Sequence, residues 1–304
     1  MTEADIRQAR LEDHDAVAAF TSDTWADRDV GDYIPDVFPE WIETDGPDQR
    51  TVVVDCDEDI GGICQAVVLS EHEAWLQGMR VNPDYRGEGY GLAMVEHLFA
   101  WCRERGASLA RNMVFSWNDA GLGQSRAAGF EPAAEARWAQ PAPDPNADPA
   151  LDVVGNPDAA WACWQRSRAC RRLSGLGIDP GESWSLSEVT RQRLGDLADS
   201  QRVLAVQDEA GTRAATARVR VRERETDDGV ESIAVYGFSV WDDLESARAL
   251  FDAVATDAAD LGVDRTRVLV PETCRHVSDV AAARADASDE PIFVLEADLT
   301  GEEF

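Results

Sequence analysis

A short glycine-rich segment holds the residues best suited to chemistry. It is followed at once by an apolar helical pattern from Leu92, and it reads Arg86-Gly87-Glu88-Gly89-Tyr90-Gly91. Glycines adopt positive φ angles and let the backbone approach a ligand closely. Their N–H groups, with the free N–H groups and positive dipole end of the helix, can surround an anion. The segment therefore suits a pyrophosphate, and Arg86 adds a positive charge at its mouth.

The segment differs from two common phosphate-binding loops. It lacks the GxGxxG spacing after a first strand, and it lacks the Gly-Lys-Ser/Thr of a P-loop. A surface turn that only precedes a helix is the structural alternative.

The segment resembles the R-x-x-G-x-G signature of the GNAT N-acyltransferases, through Arg86, Gly89 and Gly91. Its flanks are similar to the family as well. The sequence Val81-x-Pro83 closes the preceding strand, and Asn118 with Gly129-Phe130 resembles the family's later N-x-x-A…G-F segment. The resemblance covers about residues 4 to 139.

The resemblance implies acetyl-CoA as co-substrate and no metal. The N–H groups from Arg86 to Leu92 would hold the pyrophosphate. The strand before the segment would diverge from its neighbour, so that Met79, Arg80 and Val81 pair with the pantetheine arm. Asn118 would contact that arm or steady the divergence. The reaction would be direct attack of a neutral amine on the thioester, with the enzyme positioning the reactants.

The sequence departs from the family at the proton-transfer positions. The strand position where the family often has Glu is Trp75, and Glu73 is the candidate general base because it lies on the same strand face. A solvated carboxylate is the alternative for Glu73. Ser125 stands where the family has an acidic Tyr, but its hydroxyl is shorter and less acidic. Water, Tyr33 or Tyr90 could then assist the leaving thiolate.

The acceptor is the least defined part of the expected function. Trp75 and Trp117 end strands that should border the acceptor, so they could line an apolar pocket or belong to the core. A small molecule or amino acid with a primary amine is the first expectation. The alternatives are a protein N-terminal or side-chain acetyltransferase and a non-catalytic acyl-CoA-binding or regulatory protein.

Alternating strand and helix patterns predict an α/β (α+β) chain of tandem GNAT-like folds, each a mixed sheet flanked by helices. A proline-rich stretch divides the chain into residues 1–139, a linker at 140–149 and residues 150–304. Strands starting at Ala74 and Leu109 have the same separation as strands starting at Ser232 and Arg267, which indicates duplication. A turn is predicted at Gly61-Gly62.

Further helices are predicted from Asp13 or Asp15 to about Trp25 and from Ala159 to Leu173. In the second half, Asp242, Asp243 and Glu245 occupy the place of the glycine-rich segment. We therefore expect a degenerate second half that binds no CoA.

Composition limits the class of protein. Acidic residues number 59 against 28 basic ones, the net charge is -31, and no lysine occurs. Such a chain is typical of a salt-in halophile, because molar salt screens the self-repulsion. It argues against a nucleic-acid partner. The six cysteines form no CxxC. Without a visible signal or membrane-spanning run, we expect a cytoplasmic monomer or homodimer.

Overall fold

The computed structural model of the chain describes residues 5–22, 24–25, 31–57, 59–226 and 229–301. Two compact units are present. Unit 1 comprises Met1–Met113, Asn118–Pro132 and Leu295–Phe304, and unit 2 comprises Val114–Trp117 and Ala133–Val294. Unit 1 therefore includes residues from both ends of the chain. The boundaries expected at 1–139, 140–149 and 150–304 stay a prediction, because compactness alone does not show which segments fold independently.

The first half alternates strands and helices in the predicted order. Its elements are β1 (Asp5–Gln8), α1 (His14–Thr21), α2 (Ile34–Thr44), β2 (Gln49–Asp55), β3 (Ile60–Val68), β4 (Glu73–Val81), α3 (Tyr90–Arg103), β5 (Leu109–Phe115), α4 (Asp119–Ala127) and β6 (Glu131–Gln140). In unit 1 the strand order is β1-β2-β3-β4-β5. The first pairs are antiparallel, whereas β4 and β5 are parallel and are connected through α3.

The second half has this order with three short strands and a helix added. Its elements are β7 (Asp152–Val154), α5 (Pro157–Arg166), α6 (Arg168–Arg172), β8 (Leu176–Ile178), β9 (Leu186–Glu188), α7 (Arg191–Ser200), β10 (Arg202–Asp208), β11 (Gly211–Thr226), β12 (Gly229–Trp241), α8 (Leu244–Leu261), β13 (Arg265–Pro271), α9 (Cys274–Ala282), β14 (Asp286–Ala287) and β15 (Ile292–Asp298). In unit 2, β10-β11-β12 are antiparallel, and β12 and β13 are parallel and connected through α8. The predicted mixed α/β fold class is confirmed.

The C-terminal strand ends in unit 1. Leu299 N donates to Ser108 O at 2.8 Å, and Arg103 Nε donates to Leu299 O at 3.0 Å. These bonds hold the last turn of the chain between the start of β5 and the end of α3. Residues nearly 200 positions apart (196 for Arg103 and Leu299) thus complete one unit.

The predicted turn at Gly61-Gly62 is wrong, because both residues lie inside β3. Gly62 pairs with Val81, and a Cβ there would lie 2.7 Å from the Met94 side chain and 2.9 Å from a backbone oxygen of β4. At Gly61 a Cβ would lie 2.8 Å from the Tyr90 ring. The glycines therefore serve close packing of α3 on the sheet rather than chain reversal.

Two predicted helices also differ from the structure. The helix predicted over 159–173 is broken at Ser167, which has extended angles (φ -77, ψ 163) and caps α6 by accepting from Cys170 N. The first helix ends at Thr21 rather than near Trp25. Thr21 Oγ1 donates back to Val17 O at 2.8 Å, a bond that competes with helix continuation. The hairpin β8-β9 and helix α7 lack a strong apolar period, and the prediction missed them.

His276 of α9 gives the fold a testable acid sensitivity. Its ring is 5 % exposed, packs edge-on against Trp241 and contacts Thr273 Oγ1 at 2.7 Å. Burial, with a smaller effect of Arg275, lowers the pKa of His276 to about 4. The unfolded chain binds the proton near pH 6.5, so stability is complete above that pH and is lost as the pH falls towards 4.

We expect the wild-type free energy of unfolding to fall by about 2 kcal/mol between pH 7.5 and 5 through this group. Carboxylates contribute as well, so urea unfolding of His276→Gln isolates the histidine. The variant should lose about 2 kcal/mol less over the same interval. Equal losses in both proteins would show that His276 does not control the acid limb.

Candidate active site

Strands β4 and β5 separate part-way along unit 1. Their parallel pairing joins Glu73 to Leu109, Ala74 to Ala110 and Trp75 to Arg111, and it ends there. Strand β4 nevertheless continues to Val81 and stays paired with β3. The edge of β4 beyond Trp75 thus has no β5 partner among the described residues. We call this gap the β4–β5 opening.

A bulge at Gly78 turns the end of β4. The pairing with β3 shifts between Gln77 and Arg80, so two residues of β4 oppose one of β3. Gly78 has φ +66, and a Cβ there would lie 2.5 Å from the Trp41 ring of α2. Only glycine fits both constraints. The bulge places Met79, Arg80 and Val81 at the free edge, which are the predicted arm-binding residues.

The turn after β4 is shaped by Asn82. Its side chain accepts from Asp84 N at 3.1 Å and donates to Ile60 O at 3.0 Å. A 3-10 turn at Pro83–Tyr85 follows. The asparagine thereby fixes the turn to β3 and sets the direction in which the chain enters the glycine-rich segment.

The glycine-rich segment presents a row of free amides. Gly87 and Gly89 have φ +89 and +86, and a Cβ on either would meet nothing within 4 Å. Gly89 is the N-cap of α3 and supplies no side-chain cap. Within the described part of the chain, no N–H from Gly87 to Leu92 donates a hydrogen bond, and the first helical bond runs from Ala93 N to Gly89 O.

These features fit an anionic ligand. Exposed Arg86 pairs with no carboxylate among the described residues, although the chain is strongly acidic. The free amides and the positive end of the α3 dipole would both stabilise a negative charge at this position. A pyrophosphate would supply the acceptors that the amides need.

The corresponding helix in unit 2, α8, has its first amides capped by a side chain of the protein. Asp243 caps α8 by accepting from Ser246 N at 2.9 Å, and Ser246 bonds back to the cap residue. Arg213 pairs with Asp243 at 2.7 Å. A side chain of the protein already occupies this anion position, so the two helix starts differ in chemistry although they share topology.

Glu73, the candidate base, lies in a buried ion pair. Its carboxylate accepts from Arg111 Nη1 at 2.5 Å and from Ser70 Oγ at 3.0 Å, and the residue is 2 % exposed. Arg111 Nε also binds Glu296 of β15 at 2.7 Å. Both carboxylate oxygens of Glu73 are thus already engaged by neighbouring side chains. The geometry favours Glu73 as part of the strand framework, and its role as base stays a prediction.

Ser125, the other candidate, lies on α4 facing β5. It is 6 % exposed, and its hydroxyl accepts from Asn112 Nδ2 at 2.9 Å. Asn112 directly follows Arg111, the last residue of β5 that pairs with β4. Its Oδ1 is buried and has no partner among the described residues. The pair places an orientable hydroxyl and an unused acceptor beside the β4–β5 opening.

The remaining predicted residues have structural contacts of their own. Asn118 caps α4 by accepting from Gly121 N at 3.0 Å. Tyr90 packs on β3, with its hydroxyl 3.8 Å from Cys56 Sγ, which is on the side of β4 away from the opening. Trp75 is buried, and Trp117 stacks on Phe115 with centroids 5.3 Å apart.

Tyr33 belongs to an aromatic group around a salt bridge. Its ring meets Trp41 edge-on. Arg80 lies 4.4 Å above the Trp25 ring and donates to Asp32 at 2.6 Å. The guanidinium is thereby fixed beside the end of β4.

The sequence reasoning missed Arg111 and Asn112. Both are polar residues inside a strand that reads as buried, and such residues need partners. Polar residues inside a predicted buried strand are therefore a sequence signal by which Arg111 and Asn112 could have been identified.

Comparison with known proteins supports the fold. Residues 13–123 match the model of the acetyltransferase (GNAT) family. Solved structures share the fold over nearly the whole chain. A GCN5-related N-acetyltransferase from Sphaerobacter thermophilus is 16% identical, with a TM-score of 0.62 over 98% of this chain and 97% of its own.

Two further structures extend this likeness. A putative acetyltransferase from Thermoplasma acidophilum is 16% identical, with a TM-score of 0.57 over 96% of this chain and 99% of its own. A tandem GNAT protein from the clavulanic acid biosynthesis pathway is 12% identical, with a TM-score of 0.56 over 99% and 100%. No curated protein matches the chain. The chain therefore has a GNAT-like fold, with the family's sequence pattern in its first half.

Two absences apply to the described residues alone. None of their helices is long and apolar enough to cross a membrane. They also contain no group of three or more His, Cys, Asp or Glu side chains placed to hold a metal ion.

Proposed function

We propose that the protein is an N-acyltransferase that moves an acyl group from acyl-CoA to the primary amine of a small molecule. The observation that carries the proposal is the β4–β5 opening, which leads directly to the free amides of the glycine-rich segment. A thioester co-substrate needs both an anion site for its pyrophosphate and a free strand edge for its amide-bearing arm.

The residues would divide the work as follows. The N–H groups of Gly87, Gly89 and Gly91 would bind the pyrophosphate, and Arg86 would add charge. The backbone of Met79 to Val81 would pair with the arm. Bound acyl-CoA supplies an activated acyl group.

The chain would then position a neutral amine beside the thioester carbonyl. A C–N bond forms and the C–S bond breaks, the nitrogen loses a proton, and the departing sulfur leaves as thiol. We propose that Ser125, oriented by Asn112, donates a hydrogen bond towards the departing sulfur.

Unit 2 is proposed to bind no CoA at the start of α8. Capping by Asp243 supports this, because a phosphate there would meet a carboxylate in place of free amides. Unit 2 would then serve a different ligand. The acidic, lysine-free composition supports a halophilic setting as a further proposal.

A non-catalytic acyl-CoA-binding protein is the second candidate. The ion pairing of Glu73 favours it, because no unpaired carboxylate on β4 is available as a general base. Free thiol release distinguishes the candidates. An amine panel with acetyl-CoA should give CoA thiol in proportion to acceptor, whereas a binder would retain intact acetyl-CoA with every amine. Acetylated peptide from a peptide panel, with no small amine accepted, would indicate a protein acetyltransferase.

Ser125→Ala tests the proposed hydrogen bond to sulfur. We expect kcat to fall about tenfold or more with KM for acetyl-CoA nearly unchanged, because the lost interaction acts on the leaving group. Ser22→Ala is the matched control, since that exposed hydroxyl donates to Ala18 O of α1 at 2.6 Å. An unchanged kcat in Ser125→Ala would remove the hydroxyl from the mechanism.

A further inference from the structure

Five arginines lie on one face of the unit 2 sheet. The register between β11 and β12 shifts on either side of Arg218, and a bulge in β11 after Arg218 sets this face. Arg218 points to α8, where it binds Asp257 at 2.6 Å, and the arginines after the bulge point to the opposite face. Val235 of β12 pairs with Arg220 on one side and Arg267 on the other. The arginines are Arg220, Arg222 and Arg224 of β11 and Arg265 and Arg267 of β13.

Among the described residues, Arg265 is the one member of this group that forms a salt bridge. Arg265 lies 3.5 Å from Glu231, and Arg220 donates to the backbone oxygens of the β8–β9 loop. Arg222 Nε is buried. In the part of the chain that the structure describes, neither Arg222 nor Arg267 has a hydrogen-bond acceptor or a carboxylate within salt-bridge distance, and Glu231 acts on both from further away. This is unexpected in a chain with 59 acidic and 28 basic residues.

The two arginines line a pocket with aromatic walls. The pocket is formed by Trp138, Ile178, Ser183, Trp184, Arg220, Arg222, Val235 and Arg267. Trp184 is central, because its ring centroid lies 5.0 Å from Arg222 Cζ and 5.4 Å from Arg267 Cζ. The Trp138 centroid lies 5.9 Å from Arg267 Cζ. Stacking on ring faces leaves the in-plane N–H donors of a guanidinium available.

The loop that carries Trp184 is held in an unfavourable conformation. Trp184 has φ +64, a left-handed value that L-residues with a Cβ rarely adopt. It also remains 37% exposed. Arg220 ties this loop to the sheet through the backbone oxygens of Asp179 and Glu182. A strained, exposed tryptophan over unpaired arginines is typical of a ligand site rather than a settled core.

The electrostatics of the pocket favour an anion. Burial, and next Arg222, lower the pKa of Arg267 to about 10. Burial, and next Arg220, lower the pKa of Arg222. Both positive charges are thus poorly solvated and repel each other. A bound anion would relieve both effects.

We propose that this pocket binds a small-molecule carboxylate. The enclosed space of the pocket is about 20 Å³, so it would admit the carboxylate group alone, whose plane matches the in-plane fork of a guanidinium, and a flat apolar body would lie outside it along the exposed Trp184 ring. The pocket lies on the sheet face opposite α8, so it is not a counterpart of the glycine-rich segment. All its residues belong to unit 2, and the proposal does not depend on the proposed acyl transfer.

Titration of the full chain with benzoate tests the proposal. Tryptophan fluorescence and calorimetry should report saturable benzoate binding, and neutral benzamide of the same shape should not bind. Arg222→Gln and Arg267→Gln should each weaken benzoate binding about tenfold or more. Arg191→Gln is the charge-matched control and should bind normally, because Arg191 forms an exposed pair with Asp158. Molar KCl should weaken binding by screening and competition.

Melting temperatures show whether each variant is folded, so that a loss of benzoate binding is not mistaken for a loss of folding. Without benzoate, Arg222→Gln and Arg267→Gln should melt no lower than wild type, because they remove unpaired charge. At the same concentration, benzoate should raise the melting temperature of wild type clearly more than that of either variant. Absence of saturable benzoate binding by wild type, or equal binding of benzamide, would overturn the proposal. Binding of inorganic phosphate without benzoate would overturn the carboxylate assignment.

Discussion

Gly89→Glu is expected to weaken acetyl-CoA binding by about 100-fold or more, equivalent to roughly 2.7 kcal/mol. The glycine has φ +86 at the cap of α3, in the middle of a row of free amides. A glutamate there adds a Cβ in an unfavourable conformation and a negative charge where the pyrophosphate would bind. Equilibrium dialysis with labelled acetyl-CoA measures the change.

Gly175→Glu is the matched control for this substitution. Gly175 also has positive φ, at +78, and a Cβ there would meet nothing within 4 Å. It introduces the same strain and charge in unit 2, away from the glycine-rich segment, and should bind acetyl-CoA normally. Equal losses in both variants would mean that general destabilisation, rather than the anion site, explains the result.

Arg111→Met is expected to lower the free energy of unfolding by about 3 to 5 kcal/mol. The guanidinium is 4 % exposed and joins buried Glu73 to Glu296. Removing it leaves the Glu73 carboxylate buried without this ion-pair partner. Denaturant unfolding followed by tryptophan fluorescence measures the loss.

The double variant Arg111→Met/Glu73→Leu separates lost pairing from lost packing. It removes the buried charge as well as its partner, so it should recover most of the stability lost in Arg111→Met. Glu296 remains, but its side chain is 39% exposed and can be solvated. A loss below about 1 kcal/mol in the single variant would contradict a structural ion pair.

Local patterns in the sequence were sufficient for the glycine-rich segment and the helix after it. The glycines and the apolar period after Leu92 predict a turn and a helix, and α3 begins at Tyr90. The strand preceding them was also predictable, because Ala74 to Val81 is bounded by Pro83. The conformation of these elements is determined by residues close in sequence, so it could be predicted from the local sequence.

Features that depend on distant residues were not predictable. Arg111 binds Glu296 across 185 positions, and no local pattern indicates that partner. Gly61 and Gly62 read as a turn because their close packing against α3 cannot be seen from the strand alone. The unpaired arginines of unit 2 follow from a bulge in β11 that the alternation of Arg and Val does not reveal.

Calorimetric titration of wild-type protein with acetyl-CoA tests the central claim most directly. We expect one site per chain, because the amides at the start of α3 are free and Asp243 already occupies the start of α8. Two equivalent sites would contradict the assignment of unit 2. No binding to folded protein would mean that the glycine-rich segment is only a turn, and the acyltransferase proposal would have to be withdrawn.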